Sequence, residues 1–258
     1  MKLPQAILAG LCMCAAALTT SWAASAPSVK PVTIRVISSV ALRQIFIELF
    51  DQFEKKSGFK VEMETGGTVV IDQRVEAGEP FDVVVLASNS IDKLIGSGKI
   101  KQGSRVDLAK SGISIAVRKG AKAPDINNGE AVKQAVLGAK TIGYSAGPSG
   151  VYLLKLFQRW GIADQIKERL IQVPPGAQVG AIVAKGEAEI GFHQLSELIH
   201  IEGITILGPL PADVQAITIF SAGITVKAEQ QQAVNELLKF LASPEATNAK
   251  RKNGMEPI

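Results

Sequence analysis

The chain has 258 residues, 47% of them hydrophobic, 5% aromatic and 20% charged, with a formal net charge of +4 at pH 7. Its basic residues sit in short clusters, Lys55-Lys56, Arg118-Lys119 and Lys250-Arg251-Lys252; with neither a basic stripe nor an aromatic stacking platform, no nucleic-acid partner is expected. Two histidines, His193 and His200, and two cysteines, Cys12 and Cys14, supply a transition-metal site poorly, so neither metal nor cofactor is expected.

Lys2 precedes an apolar run, Ala6 to Leu18, that ends in the small-residue stretch Ser21-Trp22-Ala23-Ala24-Ser25-Ala26. That pattern predicts a secretory signal peptide over residues 1–26, removed on export to the periplasm after Ala23 or Ala26. Both cysteines fall inside it, behind Leu11 and Met13 rather than small residues, so no lipid anchor is expected and the mature chain would lack cysteine. About 230 residues bury a large core without disulfides, and no later stretch is apolar for long enough to span a membrane.

From Val32 onward, short β-branched runs alternate with amphipathic stretches. Val32 to Ile37 reads as a strand and Val40 to Lys56 as a helix, whose Ile45, Phe46, Leu49, Phe50 and Phe53 draw one apolar stripe; Gly58 stops it. Lys60 to Glu64, Val69 to Ala77 and Asp82 to Leu86 follow, the last without polar alternation, as in a strand covered on both faces. The second half repeats this grammar: strand Gly112 to Val117, helix Glu130 to Leu137, strand Thr141 to Tyr144, helix Ser149 to Trp160, then Ile171 to Val173, a helix through Ala177 to Lys185, and the strand Ile190-Gly191-Phe192. The expected architecture is α/β and two-lobed, each lobe a mixed sheet flanked by helices. Lobe 1 takes residues 27–111 and 223–258, and lobe 2 takes 112–222. Two crossover strands, near Ser111 to Ile115 and Ile217 to Val226, form the hinge, and the helix Ala233 to Leu241 packs back on lobe 1.

Ligands of open α/β sheets collect where strands end and helices begin. Four such turns are small and polar: Ser38-Ser39, Gly66-Gly67-Thr68, Gly147-Pro148-Ser149-Gly150 and Pro174-Pro175-Gly176-Ala177-Gln178. Each offers hydroxyl or N–H donors at the positive end of a helix dipole, enough to hold an anion without a formal positive charge. Taken singly, each reads first as an ordinary helix cap or turn and only second as a ligand contact. Two fall in each expected lobe, as a clamp requires.

The segments Val36-Ile37-Ser38-Ser39-Val40, Gly67-Thr68, Gln73 to Val83, Gly147 to Tyr152 and Ala181 to Gly191 resemble, in order and spacing, the periplasmic molybdate-binding protein family, type II solute-binding proteins of ABC importers. The resemblance covers nearly all of residues 32–255. It implies an oxyanion held by a serine at the first turn, a hydroxyl at the second, backbone N–H groups of the second lobe and a tyrosine near the hinge. On this chain the first is Ser39 with Ser38 beside it, and the second is Thr68 behind Gly67. Gly176 or Ala177 is the backbone donor, and Ser149, next to Gly150, stands where the family usually has alanine. The tyrosine is missing, and His193-Gln194 occupies its place.

The leading expectation is a monomeric, exported solute-binding protein that captures a small anion between its lobes and delivers it to a membrane ABC permease; a ligand-reporting subunit of a membrane sensor would share every feature. Two ligand classes stay open: a tetrahedral oxyanion such as molybdate or tungstate, and a small organic acid. The amide of Gln194, the hydroxyl of Ser149 and the imidazole of His193 suit a ligand with carboxylate and hydroxyl groups, and Arg74, Arg105 and Arg118 are candidate carboxylate forks. His193 itself reads equally as a structural residue after a buried strand and as a ligand contact. The rival class is an exported isomerase or lyase of small carboxylic acids with His193 or Glu197 as base. Against it, the sequence shows no nucleophile elbow, no His-Glu-x-x-His, no phosphate loop and no close acid/base pair.

Overall fold

The computed structural model describes residues 32–258; the expected signal peptide lies outside them. The chain opens with strand β1 (Thr33–Ser39), a single 3₁₀ turn and helix α1 (Arg43–Ser57), then β2 (Lys60–Gly66), α2 (Thr68–Glu76), β3 (Val83–Ala87) and α3 (Ser88–Gly96). The long β4 (Val106–Arg118) leads to α4 (Gly129–Gly138), β5 (Ile142–Tyr144), α5 (Pro148–Arg159), α6 (Ala163–Ile166), β6 (Leu170–Gln172), α7 (Val179–Lys185), β7 (Ile190–Gln194) and β8 (Ile204–Pro209). The return consists of β9 (Ile217–Ile224), α8 (Gln231–Ala242), α9 (Thr247–Lys252) and β10 (Glu256–Pro257). Among these residues no helix is long and apolar enough to cross a membrane.

Two sheets share one strand. The first runs β2-β1-β3-β9-β4-β10, with β1 parallel to β2 and β3, and with β9 and β10 antiparallel to their neighbours. The second runs β8-β4-β7-β5-β6, parallel from β7 to β6 and antiparallel around β4. Strand β4 changes sheet midway: Val106 to Gly112 pair with β9, whereas Ile113 to Val117 pair with β7. The first sheet takes in β9 from Ile217 onward, and the segment 210–216 connects it to β8 of the second sheet.

Both sheets are covered on both faces. One face of the first packs on α1, α8 and α9 through Ile45, Phe46, Leu49, Phe53, Val234, Leu237 and Leu241, and the other buries Ile71, Val75, Ile91 and Leu94 of α2 and α3. Strand β3 is therefore buried along its whole length, as its unbroken apolar run requires. Helix α1 buries the five residues of its apolar stripe and ends at Gly58, whose φ of 78° is the left-handed value that glycine adopts at no steric cost. The second sheet packs on α4, α5 and α6 on one side and on α7 on the other.

Two glutamines tie the crossing point. The side-chain amide of Gln215, in the return segment, accepts from the Ile113 and Ala216 N–H groups at 2.9 Å each and donates to the Ile113 and Leu210 carbonyls at 3.0 and 3.1 Å. Gln194, at the end of β7, lies 2.9 Å from Thr218 Oγ1 of β9. The amide orientation that satisfies both ends has its oxygen accepting from Thr218 and its nitrogen donating toward Ser111 and Gly112 of β4.

Candidate functional site

A cleft lies where the helices that follow β1, β2, β5 and β6 begin, between the two sheets. It encloses about 40 Å³, room for a small anion rather than an extended polymer. Its first-sheet wall carries Ser39, Gly67 and Thr68, and its second-sheet wall carries Ser149, Gly176, Ala177, His193 and Gln194. Eight of the expected residues thus line one cavity. Ser38 and Gly150 do not: Ser38 is fully buried and donates to the Ser39 carbonyl at 3.1 Å. A Cβ on Gly150 would sit 1.7 Å from the Ser145 carbonyl oxygen, so that glycine serves the packing of the turn.

Each wall residue is placed by a helix start. Ser39 Oγ accepts from Ala41 N–H at 3.3 Å, an N-cap that leaves its hydroxyl proton free. Gly67 caps α2, and Gly147 caps α5 with Pro148 as the first helical residue. Ser145 and Ser149 face each other at 3.0 Å, and Ser145 Oγ also accepts from Gly147 N–H at 3.2 Å. The first turns of α2 and α5, with their positive dipole ends, therefore border the cleft through Thr68, Val69 and Ser149.

The ionisable groups lining this cleft are His193 and Glu197. Among the described residues no arginine or lysine lines it, and the expected carboxylate forks are elsewhere. Arg74 pairs with Glu64 and Glu79 at 2.8 and 2.6 Å, and Arg105 with Asp92 and Asp107 at 2.9 and 2.8 Å; Arg118 is exposed at the far end of β4, beside Gly186. Gln194 borders the cleft, and its amide is engaged with the crossing strands as described above.

A close acid/base pair is present. His193 Nε2 lies 2.9 Å from Glu197 Oε2, and both side chains are nearly buried, at 4% and 12% exposure. His193 Nδ1 is buried with no hydrogen-bond partner among the described residues. With the carboxylate ionised and the imidazole neutral, Glu197 accepts from Nε2 and the lone pair is on Nδ1. The sequence concealed this pair because His193 reads as the end of a strand, where positions i and i+4 are far apart. The 3₁₀ turn Leu195–Glu197 bends the chain back and brings them together.

A family model for bacterial extracellular solute-binding proteins matches residues 34–256. An aconitate isomerase of a Pseudomonas species is 38% identical over 234 residues, 88% of each chain. The molybdate-binding protein ModA of Azotobacter vinelandii is 27% identical over 213 residues, covering 80% of this chain and 83% of that one. The solved structure of an A. vinelandii periplasmic molybdate-binding protein superposes with a TM-score of 0.73 at 22% identity, over 86% of this chain and 98% of that one.

Proposed function

We infer that this chain, which belongs to the family of bacterial extracellular solute-binding proteins, closes its cleft over a small unsaturated polycarboxylate of the aconitate kind and isomerises it by moving a proton. The observation that carries this reading is the buried His193–Glu197 pair in the wall of the anion cleft. An anion clamp needs donors alone; a carboxylate aimed at an imidazole is what a base needs, because it fixes the tautomer and stabilises the imidazolium that forms. The 38% identity to an aconitate isomerase supports the same chemistry.

In this reading the hydroxyls of Ser39, Thr68 and Ser149 and the N–H groups of α2 and α5 hold the carboxylates. His193 Nδ1 takes a proton from the saturated carbon beside the double bond. The C–H electron pair forms the new C=C bond, and the old π pair takes up a proton at its far carbon, so substrate and product have the same atoms and electrons. The accumulating negative charge is spread into the carboxylates that the helix starts hold.

The test is proton NMR of trans-aconitate with the protein in D2O. Formation of the cis isomer with deuterium uptake is expected, lost in both His193→Gln and Glu197→Gln while binding persists. No conversion at saturating, calorimetrically verified binding would refute the isomerase. That outcome would favour the second reading, a transport protein presenting its anion to a membrane permease. Its support is a wall of donors drawn from both sheets and the likeness to molybdate-binding proteins. A thermal-shift panel separates the ligands, since a ligand at 100 times its Kd adds about 2.7 kcal/mol of stability; stabilisation by molybdate and by no tricarboxylate would point to the oxyanion.

A further inference from the structure

Beside the cleft lies a second cavity of about 320 Å³, and the two share Val40, Gly176, Ala177 and Glu197 in their walls. It, too, is built from both sides of the molecule, with Arg43 of α1 facing Ser196 and His200 of the segment after β7. Two of its groups lack a protein partner, one exposed and one buried. Arg43 has no hydrogen-bond or ion-pair partner among the described residues, whereas Arg74 and Arg105 are each held by two carboxylates. Ser196 is 7% exposed, and its Oγ is buried without a partner among the described residues, a condition that folded proteins rarely leave unexplained. His200 is different: its Nε2 is 2.7 Å from Asn253 Oδ1, and the Asn253 amide nitrogen donates to the Ala249 carbonyl. The histidine thus donates to Asn253, and its remaining nitrogen is an acceptor when neutral.

We propose that this cavity is a second carboxylate subsite, in which the Arg43 guanidinium and the Ser196 hydroxyl receive the carboxylate that a tricarboxylate extends past Glu197. The inference rests on the polycarboxylate reading above and names what that reading lacks, a cation for the third charge. The helix starts of the cleft supply partial charges suited to one or two carboxylates. A third would lie near Glu197 without compensation, and Arg43 is the cation that borders the same wall. A guanidinium also offers paired N–H donors matched to the two carboxylate oxygens. Arg43 thereby becomes a specificity residue, selecting three carboxylates over two.

The experiment uses two probes with the same trans double bond. Trans-aconitate carries three carboxylates, and mesaconate has a methyl group in place of the carboxymethyl arm. Titration calorimetry of the full mature chain with Arg43→Gln should show trans-aconitate weakened by roughly tenfold or more and mesaconate unchanged. Ser196→Ala should give a smaller loss, again for trans-aconitate alone. Arg43 is exposed and unpaired, so its replacement leaves the fold intact, which a melting curve verifies. Equal weakening of both probes would overturn the subsite by making Arg43 a general contact of the cleft. Unchanged trans-aconitate affinity in Arg43→Gln, with tight binding by the parent protein, would overturn it and leave the polycarboxylate reading standing. A parent protein that binds neither probe would remove both.

Discussion

Adding one methyl group at Gly67 should block closure of the cleft without unfolding the protein. A Cβ built there lies 2.7 Å from Pro175 Cβ, 3.1 Å from Pro175 Cα and 3.2 Å from Gly176 N, on the opposite wall. Carbon atoms rest about 3.5–4.0 Å apart, so Gly67→Ala forces the walls to separate by roughly 1 Å. Hydrogen bonds from one wall then stretch from about 2.9 Å toward 3.9 Å, beyond useful length. Losing one such bond to an anion costs about 1.5–3 kcal/mol, or about 10- to 150-fold in Kd. The backbone imposes no strain, since Gly67 has a φ of −74° that alanine adopts freely. Gly67 also caps α2, so alanine costs up to about 1 kcal/mol of stability by that route. Gly67→Ser separates the two effects, restoring a capping oxygen while keeping the Cβ: affinity should fall as in the alanine variant while the melting temperature recovers. Calorimetry with trans-aconitate is the assay. Affinities within twofold of the parent for both variants would show that Gly67 and Pro175 do not meet in the bound state.

Ser39→Ala and Ser149→Ala should each weaken anion binding by about tenfold. Melting curves should distinguish them, because the alanine at Ser39 also removes the cap on Ala41 N–H at about 1 kcal/mol; calorimetry that leaves both affinities unchanged would take these hydroxyls out of the site. A pH test applies to Asp107, whose carboxylate accepts from Arg105 at 2.8 Å and from Ser221 at 2.6 Å. The Arg105 guanidinium holds its pKa below the usual carboxylate range, partly offset by burial. A depressed folded value means stability that is present above the unfolded pKa of about 3.9 and lost as the pH falls through the folded one. Asp107→Asn should therefore cost about 1 kcal/mol near pH 7, discounted because the pair is about a third exposed. Urea denaturation should show the gap closing under acid; a gap independent of pH would mean that the charge contributes nothing.

What the sequence made legible here follows from periodicity and turn chemistry. The stripe of α1, the buried run of β3 and the cap glycines are local patterns, and the structure forms each where the pattern lies. Eight of the ten expected site residues line one cavity because strand ends and helix starts are readable from short segments. The front half of β4 was harder. Its Val106 to Ser111 alternates poorly, and it is a strand because β9 and β10 pair with it from distant parts of the chain. The same holds for β8, which is a strand through its pairing with β4.

The functional misreadings share one physical cause, that sequence shows which groups exist but not which are already engaged. Gln194 offers a donor and an acceptor, and by residue type it suited a ligand. Folding commits both to Thr218 and the crossing strands, so it ties β7 to β4 and β9 at the crossing point. Arg74 and Arg105 offered guanidinium forks, yet each is neutralised by two carboxylates, whereas Arg43, with no distinguishing neighbours in sequence, is left unpaired among the described residues. His193 and Glu197 reverse the case. They read as unrelated residues at a strand end and beyond it, and a single turn of 3₁₀ helix makes them a buried pair. A clamp that holds an anion and a site that rearranges one thus differ here by one engaged imidazole. That difference appears only when the partner of every polar atom is known: among the described residues folding leaves His193 Nδ1 and Ser196 Oγ buried without one.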